Sequence, residues 1–346
     1  MRRRLTVTLL YAVAAAAVAA LWTLRAKTEN QSNNWASIVA IADGSAPRPF
    51  VKRRLLCDAA RVVAAAVPAP AWEAASGAID RRPALARLVR DRLGWEREDD
   101  PLLLSATALI GLSAFGFMAA TRWLVWTVYV TPRPLADLAG LLLGLALLGG
   151  GGDVRFGWFP YDIPHAFVFA LTLAAVLARS VWVLPAFAAA AYSKETSVLL
   201  IPAVFLARGG RPNRETVLTA GAMALTFLVV QQSLSASFGP GPGGFWFLGR
   251  NARWLAWLFA YDAWWYYPPL VVSAVRIARL RGHFPGPLRR LAVLAVVPLA
   301  LAFFKGWIEE KRQYLELIPI LGPLLIQWVL VELGFSRLMR ARTGSV

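Results

Sequence analysis

Tyr192-Ser193-Lys194-Glu195-Thr196-Ser197 interrupts an apolar run that otherwise extends from Val181 to Ala207. The reading of that interruption decides the fold. A charged residue at a bilayer centre costs roughly 2.5–3.5 kcal/mol on insertion scales, so charges inside a membrane usually face protein or water. One continuous helix over 181–207 would bury Lys194 and Glu195 at mid-membrane. A hairpin of two short helices would set them at its tip, near an interface. Each arm would hold about a dozen residues, roughly 18 Å at 1.5 Å per residue, against a hydrocarbon core of roughly 30 Å. Arms that short dip into the membrane and line a recess.

The rest of the chain supplies the context. Of 346 residues 58% are hydrophobic, 15 are Trp, and mean hydropathy is positive, which reads as a polytopic membrane protein. The 37 Lys and Arg exceed the 20 Asp and Glu, for a net charge of +17. In a soluble chain that excess would suggest nucleic acid. Here most basic residues flank apolar spans, so topology and anionic lipid account for it, and no nucleic-acid partner is expected. Cys57 is the single cysteine, which rules out an intrachain disulfide. With only His165 and His283, a His/Cys zinc site is not expected. Walker, H-E-x-x-H and G-x-S-x-G motifs are absent. Gly149–Gly152 runs into Asp153 without a following Gly-Lys-Ser/Thr and reads as a turn.

Arg2-Arg3-Arg4 precedes the apolar run Leu5–Leu24. The run reads as a retained anchor; the alternative is a signal peptide, since its alanines offer A-x-A sites. In both cases residue 25 onward emerges outside. Residues 25–101 form an external polar segment, with amphipathic interfacial helices expected over Phe50–Val67 and Pro83–Leu93. Further spans are expected near 102–128, 135–149, 165–178, 181–192 with 198–207, 215–234, 254–280, 288–304 and 314–334. With the hairpin reading, Lys and Arg divide 16 inside against 7 outside in short loops. A single helix at 181–207 would flip the side of every later loop and put Arg208–Arg214 and Arg276–Arg290 outside. The expectation is therefore an all-α polytopic protein, one membrane domain over 1–346, about ten membrane elements including short hairpins, and both termini cytoplasmic.

This topology gathers acidic groups on the outer side: Asp43, Asp153, Asp162, Glu195, Glu309 and Glu310. Lys194, Lys311 and Arg312 join them. Asp162 lies in Trp158-Phe159-Pro160-Tyr161-Asp162-Ile163-Pro164, just before a span. Glu309 and Arg312 are three apart, on one face if a helix starts there. A carboxylate can accept a proton from a hydroxyl nucleophile, and Arg or Lys can hold a phosphate and stabilise its charge as it leaves. Aromatic faces can cover sugar or prenyl chains. Each feature also has a plain structural reading. Lys194 and Glu195 would be a solvated hairpin tip, Asp162 a helix N-cap, and Glu309 with Arg312 a surface ion pair. Asp43-Gly44 is a turn on any reading. Tyr261-Asp262 fits a buried hydrogen-bonded pair and a recess wall equally well.

Four places resemble the bacterial GT-C-class polytopic membrane glycosyltransferases, which use polyprenyl-phosphate sugars. They are the first span followed by Pro49-Phe50-Val51-Lys52-Arg53-Arg54-Leu55; Tyr161-Asp162-Ile163-Pro164; the hairpin Ser193-Lys194-Glu195-Thr196; and Arg312-x-Tyr314 with Pro319 entering the last span. The resemblance implies a catalytic carboxylate in the first external segment, which falls on Asp43 with Glu29 as substitute. Asp43 and Asp162 are thus the candidate catalytic residues. Lys194, Glu195, Glu309, Arg312 and Tyr161 are the candidate substrate-binding residues. The implied partners are a polyprenyl-phosphate-linked sugar and the lipid bilayer, at the outer face of a bacterial inner membrane. The implied donor is lipid-linked, so no nucleotide cofactor is expected. A divalent metal is compatible with the resemblance, but no residue pattern points to one. The alternative reading is a non-enzymatic transporter or flippase for a lipid or small solute. A transporter should show internal repeats and mid-membrane charge; the chain has no convincing repeat, and its charge sits to one side.

Overall fold

The computed structural model describes residues 2–25, 37–47, 50–148, 159–210, 212–239, 249, 252–253, 275–276, 278–297, 300 and 311–342. It is 82% helical. The strands among the described residues are β1 (Tyr129–Val130) and β2 (Arg340–Ala341), an antiparallel pair.

Four helical stretches are long and apolar enough to cross a membrane. They are α1 (Arg2–Arg25), α5 (Asp100–Val128), α10 (Arg214–Phe238) and the stretch Tyr314–Glu332, which opens in a 3-10 turn and continues as α12 (Ile318–Glu332). α1 buries Tyr11, Ala14, Ala15, Val18 and Trp22, a stripe at helical spacing, and turns Leu5, Leu9, Leu10 and Val13 outward. α6 (Arg133–Ala146) lies close to α5 because of Gly140 and Gly144. A Cβ on Gly140 would meet the Met118 carbonyl at 2.7 Å, and one on Gly144 would meet Met118 Cγ at 2.3 Å. Small residues four apart are what lets membrane helices approach.

The hairpin appears as expected. α7 (Asp162–Leu177) runs down the bundle, and α8 (Val183–Ser193) runs back beside it. The chain breaks at Lys194, whose backbone is extended (φ −164°, ψ 146°). A 3-10 turn over Glu195–Leu199 then leads into α9 (Leu200–Ala207). The direction of α9 is fixed by its far end. Arg290, at the end of α11 (Gly286–Leu291), donates to the Leu206 carbonyl at 2.6 Å. Gln327 on α12 donates to the His283 carbonyl, just before α11, at 2.7 Å. That places Leu206 at the end of the bundle where β1 and β2 lie, opposite Lys194.

The count of about ten membrane elements is not confirmed. Among the described residues four helices reach spanning length, or five if the bent pair α3 (Leu55–Ala66) and α4 (Ala69–Asp80) counts as one. α6, α7, α8 and α9 have 14, 16, 11 and 8 residues, too few to cross alone. The expected span 254–280 lies almost wholly outside the described residues. That at 288–304 is described only in part, as the end of α11 and a 3-10 turn over Ala292–Ala295.

The segment after α1 carries α2 (Ile38–Asp43), N-capped by Ser37 and ended by Gly44 in a left-handed conformation (φ +88°) that suits glycine. The helix expected over Phe50–Val67 is a 3-10 turn at Phe50–Lys52 followed by α3. The stretch 83–93 is helical through Arg92, with a π-helical turn from Arg87. α4 was not anticipated.

Candidate functional site

One end of the bundle collects Tyr161, Asp162, Lys194 and Glu195 around residues that sequence reading passed over. The hub is Glu316, in the 3-10 turn ahead of α12 and 2% exposed. Its Oε1 accepts from Lys194 Nζ at 2.7 Å and from Thr196 Oγ1 at 2.8 Å. His165 Nε2, one turn into α7, lies 3.2 Å from that oxygen and 3.2 Å from the Thr196 hydroxyl. Lys194 Nζ also faces Asp162 Oδ1 at 3.8 Å, an ion contact too long for a hydrogen bond. Asp162 is itself 2% exposed. It is the first residue of α7, with Tyr161 in the N-cap position, so its charge favours the helix dipole.

A second layer covers this cluster. Arg53 Nη1 donates to the Tyr161 hydroxyl at 2.5 Å, and its guanidinium lies 4.7 Å from the Tyr161 ring and 5.5 Å from Phe50. Its Nε is 3.9 Å from Glu195 Oε2. Burial works against the Arg53 charge, but Tyr161, Glu195 and Asp162 outweigh it and raise its pKa. Phe50, Phe159 and Tyr161 stack in turn, with centroids 5.3 and 5.5 Å apart. Trp22 Nε1, from the end of α1, donates to the Phe159 carbonyl at 3.0 Å and pins the stack to the bundle.

The segment after α1 is tied to the hairpin through Asp58 of α3. Asp58 accepts from Arg54 and from the Tyr192 hydroxyl. Arg54 also donates to the carbonyls of Ile41 and Ala42, buried acceptors in the last turn of α2 that lack helical partners. Lys52 Nζ donates to Ser235 Oγ on α10 at 3.0 Å. Beside these contacts lies a cavity of about 530 Å³ between Gly44–Val51 and the end of α10, with Phe238 among its walls.

Asp43 is not in the cluster. It is exposed, and its Oδ1 accepts from the Ser45 N–H at 2.8 Å. Among the described residues it joins no ion pair. Glu309 lies outside the described residues, as do Glu29 and Tyr261-Asp262. Arg312 is described as backbone only, in the 3-10 turn that carries Glu316. Among the described residues no group of three His, Cys, Asp or Glu side chains could hold a metal ion.

The charges decide what the cluster can do. Two carboxylates, Glu316 and Asp162, face the single ammonium of Lys194. Buried carboxylates at this layer disfavour an anion. A phosphate fits the other layer better, where Lys52 and Arg53 flank the aromatic stack. Glu316 and His165 were legible only as isolated polar residues in apolar runs, a pattern that marks intramembrane sites. No family model, curated protein or solved structure matches the chain.

Proposed function

We propose that the protein is a membrane sugar transferase of the GT-C type. It would take a sugar from a polyprenyl phosphate and pass it to an envelope acceptor at the end of the bundle holding Lys194. The supporting observation is the seating of buried carboxylates behind a cationic, aromatic wall beside a cavity. In the reaction the acceptor hydroxyl oxygen bonds to the anomeric carbon as the bond from that carbon to the phosphate oxygen breaks. The hydroxyl proton goes to a carboxylate, and the phosphate leaves as an anion. Asp162, buried beside the wall, is better placed than the exposed Asp43 to be that base. Arg53 would hold the leaving phosphate, with Arg312 as a further candidate at the opening of the last span.

The test is transfer from a radiolabelled polyprenyl-phosphate sugar by purified protein in liposomes. The base is the residue whose Asn variant, Asp162→Asn or Asp43→Asn, loses turnover while donor binding persists, since a base acts only in the transition state. Arg53→Ala should weaken donor binding and lower the rate about 10²–10³-fold, the usual loss for one donor to a developing anion. No transfer with any donor, alongside substrate-driven uptake into the liposomes, would replace this reading with a transporter.

A further inference from the structure

The turn between α3 and α4 is an exposed stretch without a charged residue. The eleven residues from Val62 to Trp72 are Val, Ala, Pro or Trp without exception. None of the eleven is buried, and Val62 is 69% exposed. Arg61 and Glu73 bracket the stretch, and Arg81, Arg82 and Arg87 follow it, all exposed. The two helices meet at a bend of 106°.

The backbone at the turn is prepared for a place without water. Pro68 and Pro70 carry no N–H. The Val67 N–H donates to the Val63 carbonyl at 3.2 Å, and the Ala71 N–H to the Pro68 carbonyl at 2.9 Å. The Trp72 indole N–H reaches back across the turn to the Ala64 carbonyl at 3.0 Å, which α3 itself leaves without a partner. Each polar group left bare in hydrocarbon costs several kcal/mol, so every bond closed within the turn lowers the cost of placing it in lipid.

The packing gives its depth. Leu56 and Ala60 of α3 share a buried cluster whose first buried α5 members are Ala106 and Ile110. Those residues lie about 9–15 Å along α5 from its charged start at Asp100, at 1.5 Å per residue. α4 then returns to the charged level, where Ser76 bonds Asp100 and Asp80 pairs with Arg90 at 3.1 Å. Each arm has 12 residues, roughly 18 Å, too short to cross.

We infer that the α3–α4 turn is a re-entrant wedge whose occupant is lipid. It inserts into the acyl chains of the leaflet at the Lys194 end, with Arg81, Arg82 and Arg87 left at the headgroups. This does not depend on the sugar-transfer reading. The test places a cysteine at Ala66 or Val62 in a Cys57→Ala background, labels it with an environment-sensitive nitrobenzoxadiazole dye, and reconstitutes the protein in phosphatidylcholine–phosphatidylglycerol liposomes. Arg81→Cys is the comparison site. The expected result is blue-shifted emission at 62 and 66, quenched by lipids spin-labelled in the acyl chain and untouched by iodide, with the reverse at 81. Should Cys57→Ala impair folding, the native background serves, because Cys57 is 1% exposed and out of reach of the label. Iodide quenching at 66 without lipid quenching would overturn the inference. So would quenching at 66 by a spin-labelled second copy of the chain in place of lipid.

Discussion

At one end of the bundle Arg276 meets Glu332 at 2.7 Å, with side chains 54% and 36% exposed. At the other end Lys194 meets Glu316 at the same distance, with side chains only 10% and 2% exposed. Equal distances hide unequal energetics. An exposed pair gains little, because water already solvates both partners and salt screens what remains. A buried pair has given up its water and depends on its partners to offset that loss. The Arg276 end is built as a surface. The Lys194 end is built as an interior, although it lies at the tip of a bundle.

Four experiments can break or sharpen that contrast. The largest effect expected is all-or-none. Ser45 and Ser336 are exposed at opposite ends. A membrane-impermeant thiol reagent should label Ser45→Cys in intact cells and Ser336→Cys only after permeabilisation. Labelling of both from one side would mean that the two ends are not separated by a bilayer. Next comes Glu316→Ala, which leaves Lys194 with Asp162 alone. Removing one partner of a buried pair should cost about 3–5 kcal/mol, read from unfolding in detergent. The double variant Lys194→Met/Glu316→Leu should recover most of that. A loss near that of a surface pair would show that water reaches the cluster.

Asp58→Ala should have an intermediate effect. It removes the acceptor shared by Arg54 and Tyr192 and should cost about 1–3 kcal/mol, the usual range for stranding a buried donor. Limited proteolysis between α2 and α3 should speed up in step, since Arg54 also holds the end of α2. Arg276→Ala is the smallest, expected at about 0–1 kcal/mol and vanishing at high salt. If it matched Glu316→Ala, the contrast between the ends would fail.

The sequence revealed the bundle better than the site. Long apolar runs announced α1, α5, α10 and the last span, and the charge count turned the chain back at Lys194. Hydropathy fails for α4, which is short and rich in Ala and Pro, so that its partner α3 had to be seen before it read as a helix. At the last span, Glu309 and Arg312 drew attention because they form a charged group. The buried residue is Glu316, a lone acid between Leu315 and Leu317. Which acid turns inward depends on the rotation of a 3-10 turn against α7. Spacing alone does not contain that angle. Arg53 illustrates the same limit: it is one of three adjacent basic residues, and only the fold assigns Lys52 to Ser235, Arg53 to Tyr161 and Arg54 to Asp58.

The pairing of Lys194 with Glu316 also sets an order of assembly. The partners are 122 residues apart. At about 5–20 residues per second, Glu316 is made on the order of 6–24 s after Lys194. During that interval the hairpin already holds a lysine that its finished surroundings will exclude from water. Asp162, made earlier and 3.8 Å away in the completed fold, is the counter-ion at hand. Nascent chains stalled before residue 316 are therefore expected to lose the hairpin's protease protection on Asp162→Asn, whereas chains stalled after it keep part of that protection. Read this way, the second carboxylate at Lys194 is a temporary escort, in place before the permanent partner exists.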